Sequence, residues 1–144
     1  MSVVRAMRRR GPADLLLAAE AAVLLGFFRV CLAVMPVRRI LRMITGGHPH
    51  APQATGEREL EAGRRIQWAV SAVARHAFVE FVCFPQTLAG YTMLRWRKVP
   101  SAMVYGVMKS EDGGLLAHTW LVVGEKIVLG GEAAAGFTEV ERWG

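Results

Sequence analysis

At Val99-Pro100 the hydrophobic period of this 144-residue chain changes, and that change constrains its fold class more than any other feature. Before it, apolar residues recur at helical spacing. Leu60, Ile66, Val70, Val73 and Ala77 fall on one side of residues 57–81, with Arg64 and Arg65 outside. After it, residues 102–108 and 115–123 read as strands, joined by an Asp- and Gly-containing turn at 110–114. Gly124-Glu125 closes a hairpin into residues 126–129, which Gly130-Gly131 follows. Helices first and a small antiparallel sheet after them predict an α+β domain, and no internal repeat is visible.

The N-terminal part, residues 1–56, reads as a basic arm, apolar helices and a linker, ahead of a core over residues 57–144. Pro12-Ala13-Asp14 opens a helical pattern that runs to about Met35, since Pro suits the first turn of a helix. Residues 15–35 have the length of a membrane span, but Glu20 and Arg29 interrupt them, each at a cost of about 2.5–3.5 kcal/mol near a bilayer centre. Pro36 breaks the pattern, and residues 37–44 resume it with Arg38, Arg39 and Arg42 on a basic face. Docking on protein is the expectation for these helices, and peripheral attachment to anionic lipid is the second reading. Residues 45–56 are a linker by composition; its His48 and His50 have no neighbouring Cys or carboxylate to complete a metal site.

The formal net charge of +6 is carried almost entirely by Arg, because Lys occurs only at positions 98, 109 and 126. That balance suits nucleic acid, anionic lipid or an acidic peptide. Nucleic acid is set aside, since the chain has no aromatic stacking ribbon, zinc spacing or helix-turn-helix pattern. A phosphate loop of the Gly-Lys-Ser/Thr kind is also missing. With two cysteines in unlike contexts and no secretory cleavage site after the apolar stretch, a reducing cytoplasm is expected, with or without membrane association.

Chemistry points to Cys83. An apolar run ends there, and Phe84-Pro85-Gln86 opens a helix expected over residues 84–98. A thiol at a helix start meets the positive end of the dipole, which favours the thiolate. His118 lies on the strand 115–123, where it shares a face with Trp120 and Val122. If that face packs on the Cys83 helix, imidazole and thiol form a nucleophile–base pair, and the N–H groups of the first helical turn can serve an oxyanion. Without such a fold, Cys83 reads as a small buried hydrophobe and His118 as a half-core residue. Cys31, inside an apolar helix with no His nearby, reads as core.

The stretch from Cys83 to Phe137 resembles the leader-peptidase B proteins of lasso peptide biosynthesis, a family of transglutaminase-like cysteine proteases. The similar pieces are Cys83-Phe84-Pro85-Gln86, residues 95–102, Val104-Tyr105-Gly106-Val107, Ala117-His118-Thr119-Trp120, Val128-Leu129-Gly130-Gly131 and Phe137. The Arg-rich apolar N-terminal region and Trp68 resemble the free-standing form of that protein. The resemblance implies a papain-like core in which a Cys-bearing helix packs on a small antiparallel sheet. It implies a thiol protease that removes the leader from a ribosomal precursor, with Cys83 as nucleophile and His118 as general base and acid. It implies no metal or organic cofactor. The implied partners are the precursor peptide, a separate leader-recognition protein and a macrolactam-forming cyclase related to asparagine synthetase. Where the family typically carries an orienting Asp, this chain has Gly130; Glu132 is the nearest carboxylate and the expected substitute, and a main-chain carbonyl or an amide is the other option. Two rival readings stand: a non-catalytic membrane-associated or scaffold protein of the same fold, and a transglutaminase-like acyl transferase.

Overall fold

Several helix boundaries have a local cause. The computed structural model describes residues 11–46, 55–76 and 83–144. Helix α1 (Pro12–Val34) starts on Pro12 with Asp14 in its first turn, and ends where Met35, preceding Pro36, is driven to an extended conformation. Helix α2 (Val37–Thr45) is closed by Gly46 at φ 72°, whose N–H donates to the Arg42 carbonyl. Helix α3 (Glu57–His76) carries Glu57 and Glu59 in its first turn and Arg75 and His76 in its last, matching the helix dipole at both ends. Helix α4 (Cys83–Trp96) ends in a Schellman turn. There Val99 N–H donates to Leu94 O and Lys98 N–H to Arg95 O, both at 3.0 Å, and Lys98 takes the left-handed position at φ 56° that glycine usually fills. The basic arm, His48, His50 and residues 77–82 lie outside the described residues.

The strands are β1 (Ala102–Lys109), β2 (Leu115–Val123), β3 (Lys126–Leu129) and β4 (Thr138–Trp143), with a short helix α5 (Gly131–Ala134) before the last. They form one antiparallel sheet in the order β3-β2-β1-β4, so β1 and β2 are central. The α+β expectation therefore holds. The expected strands 102–108, 115–123 and 126–129 recur within a residue; β4 was not anticipated.

Two helical layers stack on one side of the sheet. Helices α3 and α4 pack on it, and α1 packs on α3 and α4. The core between them joins Leu25 and Phe28 of α1, Ile66 and Val70 of α3, Leu88 and Leu94 of α4, and Met103, Leu121 and Val123 of the sheet. Each large apolar side chain of this kind contributes about 1.5–3 kcal/mol on burial. Of the apolar residues that could have docked α1, Leu24 and Phe28 are buried while Leu16 and Phe27 remain exposed. Two ion pairs join α1 to the layer beneath: Asp14 with Arg65 at 2.8 Å, and Glu20 with Arg97 through both carboxylate oxygens at 2.7 and 2.8 Å. The Arg95 guanidinium donates to the Ile44 carbonyl and so fastens the end of α2 to α4.

One expectation is reversed. The face of β2 that packs on the helices carries Leu121 and Val123, and Thr119 reaches α4 on the same side. Trp120 and Val122 lie on the opposite face, in a second cluster with Ala102 and Val104, flanked by Ala134 and Phe137. The pairings Val104↔Trp120 and Ala102↔Val122 put these four side chains on one surface.

Candidate active site

Cys83 is the first described residue of α4 and is half-buried, in contrast to Cys31, which is buried in α1; both are free thiols. The following Pro85 belongs to the first helical turn, where its missing N–H costs nothing. Cys83 and His118 line a single cavity of about 210 Å³, together with Gln86, Thr87, Thr119, Leu129 and Gly130.

His118 reaches this cavity by a route that strand alternation alone did not suggest. Strand β3 stops at Leu129, which pairs with Leu121, so β2 is uncovered on its β3 side where it carries His118. The imidazole lies at that open edge. Its Nε2 is 2.9 Å from the main-chain oxygen of Gly130. A carbonyl can only accept, so Nε2 carries the proton, and in the neutral ring Nδ1 is left with the free lone pair. Two aromatic rings hold the imidazole from its sides: Trp120 at a centroid distance of 6.0 Å, nearly parallel, and Phe137 at 5.3 Å. Gly106, opposite His118 in the β1–β2 ladder, makes room for the Trp120 indole, since a Cβ there would stand 2.6 Å from the ring.

Gly130 is glycine for two independent reasons. Its φ of 77° is left-handed, and a Cβ would come within 2.9 Å of the Thr119 carbonyl oxygen and 3.2 Å of His118 Nε2. The backbone is thus pressed against the imidazole edge, and its carbonyl occupies the place beside the ring. Glu132 follows in the first turn of α5; it is exposed and outside the cavity lining. Glu125 is exposed in the β2–β3 turn.

Sequence reasoning passed over two threonines. Thr87 lies one turn after Cys83, and Thr119 follows His118. The Thr87 hydroxyl donates to the Cys83 carbonyl at 2.9 Å, and the two threonine oxygens are 3.2 Å apart in a buried contact. Thr87 has a single hydroxyl proton and uses it on Cys83, so Thr119 donates to Thr87. The relay Thr119–Thr87–Cys83 ties the strand bearing the imidazole to the turn bearing the thiol. A threonine one turn along a helix is common, so no local signal distinguishes Thr87 in the sequence.

A thiol facing a cavity shared with an imidazole whose protonated nitrogen is held from behind can perform nucleophilic acyl chemistry. No curated protein and no solved structure shows a significant match to the chain. The transglutaminase-like superfamily pattern matches residues 21–142, a region that takes in the helical layers, the sheet and both cavity-lining residues Cys83 and His118. The chain belongs to the transglutaminase-like superfamily.

Proposed function

We propose that the protein is a thiol protease that removes the leader from a lasso peptide precursor in the cytoplasm. The observation carrying this reading is the shared cavity of Cys83 and His118, with His118 Nε2 on the Gly130 carbonyl. Support for the particular substrate is the resemblance running from Cys83-Phe84-Pro85-Gln86 through Ala117-His118-Thr119-Trp120 to Val128-Leu129-Gly130-Gly131.

In the proposed reaction the Cys83 thiol gives its proton to His118 Nδ1, and the sulfur adds to the scissile carbonyl. First-turn N–H groups of α4 take the developing oxyanion charge. The imidazolium returns its proton to the leaving amine, the C–N bond breaks, and an acyl-thioester remains on Cys83. Water, deprotonated by His118, attacks the thioester and releases the leader carboxylate and the free thiol. Because an imidazolium forms in both halves, a group accepting from Nε2 stabilises both; the Gly130 carbonyl supplies it in place of an orienting carboxylate. No cofactor enters these steps. The released core peptide passes to a cyclase related to asparagine synthetase, and a separate leader-recognition protein presents the precursor.

The test is leader removal followed by mass spectrometry, with precursor and recognition protein added to the full chain. Cys83→Ala is expected to abolish cleavage and leave the melting temperature within a few degrees. Cleavage retained in that variant would end the protease reading. An amide adduct formed with an added amine, in preference to the free acid, would move the reading to acyl transfer.

A further inference from the structure

Apart from Asp14, Glu20 and Arg29, helix α1 is apolar, yet it is buried on only one side. Leu17, Leu24, Leu25 and Phe28 face the core. Leu16, Val23, Val30 and Val34 are between 63 and 73% exposed, and Phe27 is 57% exposed. With Ala19, these residues recur every three or four positions and so form one straight stripe, about 27 Å long at 1.5 Å per residue. Within the most apolar 18-residue window of α1 only 33% of the residues are buried. Isolated apolar residues on a surface are ordinary, but a continuous stripe of this length is a docking surface.

Charge identifies what it docks on. Residues 1–56 contain two acidic side chains, Asp14 and Glu20, and both are turned inward onto Arg65 and Arg97. The outer side of α1 therefore carries no carboxylate. Arg5, Arg8, Arg9 and Arg10 precede the stripe in sequence; Arg38, Arg39 and Arg42 follow it, exposed on α2 beside Met43, which is 69% exposed. An apolar stripe bracketed by arginines and cleared of negative charge is complementary to an anionic bilayer: the side chains enter the acyl boundary and the guanidinium groups stay among the phosphates.

We infer that the outer face of α1, with the α2 arginines, seats this protein in the plane of an anionic phospholipid surface. Although α1 is long enough to span a bilayer, a spanning position would carry the Asp14–Arg65 and Glu20–Arg97 pairs and the polar surfaces of α3 and α4 into hydrocarbon. An in-plane helix sinks only about 5–10 Å and leaves both pairs on the protein side. The cavity lined by Cys83 and His118 lies at the first turn of α4 and the open edge of β2, not on the outer face of α1.

Flotation of the full chain with vesicles tests this. In low salt it is expected to float with vesicles of phosphatidylglycerol and phosphatidylcholine, and to remain at the bottom with phosphatidylcholine alone. Raising the salt should release it. Val23→Glu/Val30→Glu, placed in the exposed stripe, should lower vesicle affinity at least tenfold. Arg38→Gln/Arg39→Gln/Arg42→Gln should lower it on the order of a hundredfold, each guanidinium near the surface counting for roughly a factor of five. Both variants alter exposed positions and should keep the wild-type circular dichroism melt. Failure of the wild-type chain to float with anionic vesicles would overturn the inference. So would a stable dimer in analytical ultracentrifugation that Val23→Glu/Val30→Glu dissociates, since a second copy would then own the stripe.

Discussion

Thr87→Val should uncouple the two halves of the site, and its cost can be worked from the hydroxyl relay. Valine keeps the shape of threonine and removes the hydroxyl. The Cys83 carbonyl loses its 2.9 Å donor, and the Thr119 hydroxyl, on a residue only 2% exposed, loses its acceptor. A lost hydrogen bond costs about 1 kcal/mol net, and a stranded buried hydroxyl about 1–3 kcal/mol more, so Thr87→Val should destabilise by roughly 2–4 kcal/mol. Thr119→Val is the milder change. It removes one bond, and Thr87 still donates to Cys83, so a loss of about 1 kcal/mol is expected. The double variant strands no hydroxyl and should be more stable than Thr87→Val alone. The cycle therefore predicts a coupling of about 1–3 kcal/mol between the two positions. Urea denaturation of the four proteins measures it, provided the slopes with denaturant agree. Single-variant costs that add to within about 0.5 kcal/mol would refute the relay.

Two further outcomes bear on the imidazole and on the fold. Gly130→Ala forces a side chain into a left-handed position at about 1–2 kcal/mol and sets its Cβ 2.9 Å from the Thr119 carbonyl oxygen, so the backbone must shift away from His118. Cleavage should fall at least about tenfold, as loss of general acid–base positioning implies, while Glu132→Gln should stay within about twofold. A hundredfold loss in Glu132→Gln would return the orienting role to that carboxylate, and an unchanged Gly130→Ala would remove the carbonyl from the mechanism. At the end of α4, Lys98→Gly relieves a φ of 56°. A gain of up to about 1 kcal/mol, or about 3 °C in melting temperature for a chain of this size, should follow after the greater freedom of glycine in the unfolded chain is counted. A lower melting temperature would show that the lysine side chain contributes more than its backbone strain removes.

The parts of this fold visible in the sequence are those set by local chemistry. Proline at positions 12 and 36 and the period change at Val99-Pro100 mark boundaries that neighbouring residues decide. What escaped depends on residues far apart in the chain. Residues 119–123 are all buried because β2 is covered on both faces, so alternation could not tell which side meets the helices. Strand β4, Thr138–Trp143, is an exposed edge strand rich in charge, and its place beside β1 comes from long-range pairing rather than from its own pattern. The site divides the same way. Cys83 and His118 stand out by residue type, whereas the group behind the imidazole is a main-chain carbonyl, which every residue possesses and no motif records.

The two ion pairs of α1 have a consequence for how the chain finds its structure. Hydrophobicity tells an amphipathic helix which side to bury, but a helix that is apolar on most sides could settle on the layer beneath it in several rotations at similar gain. Asp14 and Glu20 break that degeneracy, because only one rotation brings the first to Arg65 and the second to Arg97. Pairs of this partly exposed kind are worth at most about 1 kcal/mol each. Two of them, set against rotations in which both carboxylates lose their guanidinium, separate the alternatives by a factor on the order of thirty. Arg65 of α3 and Arg97, just past the end of α4, thus act as an index mark for a helix whose oily surface carries none.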